Sequence, residues 1–261
     1  MNIELLTTPR LPRRANRLFS SLCTALDQPM SKEYTGKQEW LFMWGPGGEL
    51  QQQLLAQHRA VGGQVVMFDV GYFQRYEDGA RLTLNGFHPP AYLHLGLHRM
   101  PRFGLMGVET EDLYSPTGHI LLCGTGNKSR ALYGTDSLEW EKRALGWLQH
   151  HHPGVPVVFR PKPKHEEVLE GTIDGRSHDI KHWLTGCRLA VMQHSNVQVD
   201  ALRYNILFHC EGGILSQYPA WTNEDMLEAV SWFNYKPDEV GLMLDFLKEN
   251  ADNIRNIAKG G

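Results

Sequence analysis

The 261-residue sequence has no long apolar run, and its apolar stretches are much shorter than the roughly 18 residues that a membrane-spanning helix needs. Its first residues lack the basic, apolar and small-residue regions of a signal peptide. Its cysteines are few and form no CxxC pair: Cys23, Cys123, Cys187 and Cys210. We therefore expect a cytoplasmic protein with reduced, mostly buried thiols.

The charge balance is also weak, with a formal net charge of −3. This value gives no overall basic field of the kind that nucleic-acid-binding proteins often carry. Basic residues do cluster near the start of the chain, at Arg10, Arg13, Arg14 and Arg17. Two interpretations of this cluster stay open, a solvated N-terminal segment and a contact for a polyanion.

Apolar runs alternate with amphipathic stretches, which is typical of an α/β protein with parallel sheets. The pattern predicts strands over 39–45, 62–71, 119–126, 155–163, 188–195 and 206–213, and helices over 49–61, 138–151, 180–187 and 196–205. Asp136 or Ser137 is the expected N-cap of the 138–151 helix. Residues 76–118 are predicted to be loops with short elements. Thr222, Asn223 and Asp225 form a capping pattern at the start of TNEDMLEAVSWF, and a long amphipathic helix is predicted from Pro237.

These elements predict two Rossmann-like lobes that face a cleft, with ligands bound at the carboxyl ends of the strands. We expect an N-terminal lobe over 1–110 and a C-terminal lobe over 111–220. Residues 221–261 would form helices that pack across the lobes.

The stretch LLCGTGNKSRALYG, residues 121–134, has the composition of a phosphate-binding turn between a strand and a helix. It is not a Walker A loop, because Asn127 replaces the glycine before Lys128 and Gly124 lies too close to the lysine. It also fits the dinucleotide fingerprint poorly, since Ser129 takes the place of the third glycine. The next predicted strand ends at Arg160, where that fingerprint requires an acidic residue.

Polar residues follow several strands of the second lobe, and parallel strands bring such residues to one edge of a sheet. Backbone amides and cations at that edge suit the phosphate of a nucleotide-activated donor. The predicted binding residues are Gly124, Gly126, Asn127, Lys128, Ser129, Arg160, Lys162, His194, Ser195, Asn196 and Asp200. The alternative is a glycine turn with a solvated lysine, which stays open.

A metal site is not expected. His94 and His98 are spaced like ligands on a helix and His88 lies nearby, but no cysteine pair or HExxH motif accompanies them. No DxD pair is present to hold a divalent metal under a diphosphate, which favours a metal-independent reaction without a cofactor.

Several of these motifs resemble GT-B glycosyltransferases, above all the bacterial capsule and lipopolysaccharide enzymes that transfer Kdo or related sugars. The resemblance rests on VVFRPKPKH and WLTGCRLAVMQHSNVQVDALRYNILFHCEGG in the second half, and on LFMWGPGG and VVMFDVGYFQR in the first. It covers about residues 40–75 and 118–215. The sequence departs from that family at FDVGYFQR, where two adjacent acids are more usual, and at RPKP, where a His-Pro pair is frequent.

The resemblance implies a nucleotide-sugar donor in the second lobe and an acceptor over the first, beside Gly45, Gly47, Tyr72 and Arg75. The acceptor would be a glycan or, as in compact phage enzymes, a hydroxymethylated DNA base, in a bacterium or a phage-infected host. A non-catalytic nucleotide- or nucleic-acid-binding module on the same fold is the alternative function. The broken Walker pattern counts against a phosphotransferase.

Asp69 is the predicted catalytic residue, because it follows the apolar run VVMF and should lie at a strand end. It would act as the general base for the acceptor hydroxyl, or as the nucleophile if the enzyme retains configuration. Arg75 would pair with it or with a donor phosphate. A structural role for Asp69, capping the turn at Gly71, is equally open.

Overall fold

The computed structural model describes residues 1–7, 11–45, 48–73, 78–163, 165–217 and 220–260. The chain divides into two compact units. The first combines Met1–Val108 with Glu228–Gly261, and the second is Glu109–Leu227. Both units contain a sheet with parallel strands flanked by helices, which confirms the predicted α/β class and is consistent with a Rossmann-like fold.

The sheet of the first unit has the strand order β1-β2-β3-β4-β10. Its strands are β1 (Ile3–Leu6), β2 (Trp40–Trp44), β3 (Gln64–Val70), β4 (Ala80–Leu84) and β10 (Asn234–Tyr235). β1, β2 and β3 run parallel, whereas β4 pairs antiparallel with β3 and β10. β2 is buried along its whole length, so its sequence WLFMW is a continuous apolar run, as expected for a strand covered on both faces.

The arginine-rich segment is largely helical from Arg13 on, where α1 (Arg13–Leu26) begins. This helix buries Ala15, Leu18, Phe19 and Leu22, which recur at helical spacing and form one apolar face. The arginines therefore lie on a helix that packs through its apolar face, with Arg13 and Arg17 exposed, and both interpretations of the cluster stay predictions. Arg10 lies outside the described residues.

The C-terminal residues of the first unit form two helices where one long helix was predicted. Pro237–Glu239 is a 3₁₀ turn, followed by α8 (Val240–Glu249) and α9 (Ala251–Gly260). The helices are separated at Asn250, whose side chain donates to the carbonyl of Phe246 at 2.8 Å. The rest of the unit contains α2 (Glu49–Ala60) and the 3₁₀ helices Pro90–Gly96 and Phe103–Met106.

The sheet of the second unit is parallel throughout, with the strand order β7-β6-β5-β8-β9. Its strands are β5 (His119–Cys123), β6 (Val157–Arg160), β7 (Ile173–Asp174), β8 (Cys187–Met192) and β9 (Phe208–Cys210). Its helices are α3 (Asn127–Tyr133), α4 (Glu139–His151), α5 (Ile180–Leu184) and α6 (Val197–Arg203), and α7 (Asn223–Ser231) crosses the boundary to the first unit.

Alternate residues of the central strands point to opposite faces of this sheet. Ile120 and Leu122 pack with Trp140 and Leu148 of α4, whereas Leu121 packs on the other face with residues of α5 and α6. Helices therefore cover both faces, as a parallel sheet requires. This leaves the carboxyl ends of the strands as the edge where side chains from several loops meet.

Two predictions about helix ends have opposite outcomes. Neither Asp136 nor Ser137 caps α4, because the N-cap position is Leu138, with φ of 59°, and the Ser137 hydroxyl donates to Glu167 instead. The predicted capping pattern before α7 is confirmed, since Thr222 Oγ1 accepts from the amide of Asp225 at 3.1 Å. Among the described residues, no helix is long and apolar enough to cross a membrane.

Candidate functional site

The turn after β5 packs closely against the segment after β6. The amide of Gly124 donates to the carbonyl of Arg160 at 2.9 Å. A Cβ atom at Gly124 would lie 2.9 Å from Pro161 Cα, and one at Gly126 would lie 3.4 Å from Lys162 Cγ. Gly124 thus has a steric reason to be glycine, whereas a side chain at Gly126 would make ordinary van der Waals contact with Lys162.

Lys162 reaches from the end of β6 to the end of β8. Its Nζ atom donates to Ser195 Oγ at 2.8 Å. β5 lies between β6 and β8 in the sheet, so this bond joins the two loops on either side of the glycine turn. Ser195 is buried. The structure therefore brings together three of the strand ends that the sequence predicted to converge.

A second cation lies at the same edge. Burial raises the pKa of the Cys123 thiol to about 12, while the nearby charges of Lys162 and Arg160 act in the opposite direction. Arg160 donates through Nη2 to the carbonyl of His178 at 3.2 Å. Its Nε atom is buried without a hydrogen-bond partner in the part of the chain that the structure describes. An anion at this edge would meet positive charge from two sides.

A buried network of charged side chains contacts the turn after β5. The amide of Thr125 donates to Glu141 Oε1 at 2.6 Å, and Glu141 is fully buried. Arg130 lies 3.6 Å from Glu141 and donates to both carboxylate oxygens of Glu167, at 2.5 and 3.0 Å. These hydrogen bonds from Arg130 hold the pKa of Glu167 below its usual value. Sequence analysis missed all three of these charged residues.

Another contact joins α3 to the ends of β8 and β9. Tyr133 OH is hydrogen-bonded to Nδ1 of His194 at 2.8 Å. A Cβ atom at Gly212 would lie 1.9 Å from that hydroxyl, so the phenol keeps this position only beside a glycine. Burial raises the pKa of Tyr133 to about 12. The phenol therefore stays protonated at neutral pH and fixes the loops after both strands.

Gln198 is a further residue that sequence analysis missed. Its Nε2 donates to the carbonyl of Ser195, and its Oε1 accepts from the amide of Leu215, each at 2.9 Å. Gln198 is buried. It connects the Ser195 turn to the loop after β9, and the short apolar helix in which it lies gave no signal of this role.

The other residues predicted to bind phosphate differ in their burial and in their contacts. Asn127 and Lys128 are exposed on the first turn of α3, whereas Ser129 is buried. Asn196 precedes α6 but makes no side-chain cap bond to it. Asp200 is buried and its Oδ1 lies 3.7 Å from Nη1 of Arg203.

In the first unit, Asp69 is paired rather than isolated at an apolar strand end. It lies within β3, and its Oδ2 accepts from Nη2 of Arg81 on the adjacent strand β4 at 2.8 Å. Its Oδ1 accepts from the amide of Val70 at 2.8 Å. The predicted partner Arg75 lies outside the described residues. About a quarter of the Asp69 side chain, 23%, stays exposed.

The structure describes two of the four residues predicted for the acceptor side, Gly45 and Tyr72. Gly45 has φ of 88° and donates through its amide to the carbonyl of Phe68 at 2.8 Å. Tyr72 is buried, and its hydroxyl is hydrogen-bonded to Nδ1 of His88 at 2.7 Å, so it offers no surface to an acceptor. Gly47, like Arg75, falls outside the described residues.

Within the ranges that the structure describes, no three or more His, Cys, Asp or Glu side chains come together as a metal site would require. His88, one of the three histidines considered from the sequence, is instead bonded to Tyr72. The metal-independent reaction expected from the sequence stays a prediction.

No protein-family model matches the chain, and no curated protein matches its sequence. Solved structures do. KpsC of Thermosulfurimonas dismutans, titled a beta Kdo 2,7 transferase, matches with a TM-score of 0.59 and 13% identity, over 95% of this chain and 100% of that one. A KpsC structure from the same organism, titled a beta Kdo 2,4 transferase, matches with a TM-score of 0.54 and 10% identity, over 90% and 92% of the two chains. At such identities the likeness shows the fold, and at that level it confirms the resemblance to Kdo transferases.

Proposed function

We propose that this chain is a GT-B-type glycosyltransferase that moves a sugar from a nucleotide-activated donor to an acceptor hydroxyl. The contact between Lys162 and Ser195 over the glycine turn carries the proposal, because it supplies cationic and hydroxyl donors at the carboxyl edge of a parallel sheet. Fold likeness to Kdo transferases supports the same reaction class by analogy. Nucleotide-activated Kdo is accordingly the first donor to test.

The proposed chemistry needs charge stabilisation on the leaving group. The acceptor oxygen attacks the anomeric carbon, the bond from that carbon to the phosphate oxygen breaks, and the electron pair leaves with the phosphate. Lys162 donates to Ser195 and Arg160 lies nearby, so two cations lie at this edge of the sheet. Cations placed in advance stabilise the developing negative charge, so this assignment needs no metal.

Asp69 is proposed to accept the proton of the acceptor hydroxyl. Its carboxylate is partly exposed and its orientation is fixed by Arg81 and the amide of Val70. A carboxylate held in a fixed orientation is suited to this task. If configuration is retained, the same carboxylate would instead attack the anomeric carbon. The alternative is that the Asp69–Arg81 pair only joins β3 to β4.

Nucleotide binding provides the direct test of the donor site. We expect thermal-shift screening to identify a nucleotide, and Lys162→Met to weaken its binding at least about tenfold, as for loss of a charged hydrogen bond. Lys142→Met is the matched control, because Lys142 is exposed on α4 of the same unit. Equal affinity for the nucleotide in both variants would contradict the assignment.

Turnover provides the test of Asp69. Asp69→Asn should abolish hydrolysis and transfer of the nucleotide sugar that binds, while nucleotide affinity and the thermal unfolding temperature stay near those of the parent. Loss of both binding and folding would indicate the structural role. Binding without turnover of any nucleotide sugar, in the parent protein as well, would favour the non-catalytic module.

A DNA acceptor depends on the arginines of α1. Arg13 is exposed, whereas Arg17 forms an ion pair with Asp78, which reduces the positive charge of this face. If DNA is the acceptor, its binding should weaken steeply with salt and further on Arg13→Ala. Because the ion pair of Arg17 with Asp78 reduces the positive charge that DNA would need, a glycan is the acceptor class to test first.

A further inference from the structure

The second unit contains a cavity of about 370 Å³ between α4 and the edge of its sheet. Trp140, Arg143 and Trp147 line it from α4, and Val191, His209 and Glu211 line it from β8, β9 and the residue after β9. Its volume falls within the range of small-ligand pockets. None of these six residues belongs to the Lys162–Ser195 contact.

The pocket exists because the sheet ends there. β9 is an edge strand of three residues, and α4 lies over the more central strands. The α4 positions 140, 143 and 147 recur at helical spacing and form one stripe toward the cavity. Trp147 is 52% exposed in spite of its size. A single exposed apolar residue is common on protein surfaces, and Trp147 matters here because it lines a cavity of ligand size.

The polar groups around the cavity include both hydrogen-bond donors and acceptors, and charges of both signs. Nε1 of Trp140 is buried and has no hydrogen-bond partner in the part of the chain that the structure describes. At the rim, Nη2 of Arg143 lies 3.7 Å from a carboxylate oxygen of Glu211, with side chains 64% and 43% exposed. The two charges offset each other, so neither an anion nor a cation gains a net attraction. An ion pair this exposed is weak, and its groups can turn to a ligand at little cost.

We infer that this cavity, the Trp147 pocket, binds a neutral sugar ring of a glycan. The ring of His151 lies against the Trp147 indole, with centroids 4.4 Å apart, and the part of the indole that stays exposed offers apolar surface to the C–H groups of a pyranose. Arg143 donates and Glu211 accepts, and vicinal hydroxyls can do both. Trp140 is buried, so the exposed rings of the lining are those of Trp147 and His209, and a nucleoside is the competing ligand that the test has to include.

The inference goes beyond the proposed donor site and does not depend on transfer chemistry. A glycan held here would be retained near the protein between catalytic events if the chain is a transferase. It would equally define a lectin-like surface if the chain is not.

An array of immobilised neutral oligosaccharides of glucose, galactose, mannose, xylose and N-acetylglucosamine tests the pocket, with charged glycans, nucleosides and peptides on the same array and calorimetry on the strongest binder. We expect binding to the full-length protein, and Trp147→Ala to weaken it at least about tenfold. Arg143→Ala and Glu211→Gln should each weaken it as well. Leu207→Ala is the matched control, since Leu207 is exposed in the same unit, and it should bind as the parent does.

Lys162→Met separates this inference from the proposed function, because that variant should lose the nucleotide and keep the glycan. Absence of binding to every neutral glycan on the array would overturn the inference. So would unchanged affinity in Trp147→Ala, or binding confined to charged glycans, nucleosides or peptides.

Discussion

Gly124 shows most directly how single residues shape the candidate site. A Cβ atom there would lie 2.9 Å from Pro161 Cα and 3.3 Å from the ring of Phe159, and neither neighbour is the end of a flexible chain. We predict that Gly124→Ala lowers the free energy of unfolding by about 1–3 kcal/mol through overpacking. Chemical denaturation would measure this change.

Gly146 supplies the contrast for that experiment. It lies exposed within α4, and a Cβ atom there would meet no atom within 4 Å. Gly146→Ala should therefore raise the free energy of unfolding by about 0.5–1 kcal/mol, as in other helix interiors. If both variants changed stability in the same direction, close packing of the turn would not be the cause.

His58 gives a pH prediction at the same scale. It is fully buried, its Nδ1 lies 3.0 Å from the hydroxyl of Tyr34, and its Nε2 lies 3.2 Å from the carbonyl of Glu39. A carbonyl only accepts, so Nε2 carries the proton and Nδ1 accepts from the phenol in the neutral ring. Burial lowers the pKa of His58 below its ordinary value of 6.5.

The sign of the effect follows from that lowered pKa. The unfolded chain binds the proton more readily, so this contribution to stability is present above pH 6.5 and is lost as the pH falls below it. We predict that His58→Gln flattens the dependence of the thermal unfolding temperature on pH below this value. His150→Gln, at an exposed position of α4, should leave that dependence unchanged. An equally steep profile in His58→Gln would contradict the prediction.

At the scale of elements, Gln198 of α6 joins the turn that contains Ser195 to the loop after β9. Gln198→Leu would leave the buried amide of Leu215 without this acceptor, whereas the carbonyl of Ser195 would lose Nε2 but keep the backbone amide of Gln198. A buried donor left without its partner costs about 1–3 kcal/mol. We predict a destabilisation of that order in urea, together with weaker nucleotide binding through the displaced Ser195. Gln149→Leu, at an exposed position of α4, is the control and should change neither.

The elements also show what sequence patterns can and cannot reveal. Apolar runs correctly located β2, β3, β5, β6 and β8, because buried parallel strands need such runs on both faces. α3 was missed because it follows a glycine turn and is only Asn127–Tyr133 long. Lys162 and Ser195 were predicted to lie at one edge of the sheet, because each follows a strand that was predicted to be parallel. Glu141 and Gln198 were not, because burial of a polar residue depends on partners distant in sequence.

Across the whole molecule, the two units differ in how the chain builds them. The second is one continuous segment, Glu109–Leu227, with apolar clusters on both faces of its sheet. The first needs both ends of the chain, since β10 completes its sheet and Asn234 Oδ1 accepts from the amide of Phe73 at 3.1 Å. The buried rings of Phe233 and Phe246 also come from the C-terminal part.

This difference predicts the effect of truncation. A chain that ends at Leu227 should lose the cooperative unfolding of the first unit, because removal of 228–261 deprives its core of β10 and α8. The second unit keeps all its strands and should still unfold cooperatively in urea, as continuous domains do. Limited proteolysis of this truncated chain should therefore leave a resistant fragment close to 109–227, and the isolated fragment should give the same midpoint. If the protease digested 109–227 as fast as 1–108, the second unit would owe its stability to the rest of the chain. Lys162 and Ser195 would then be positioned only in the intact protein.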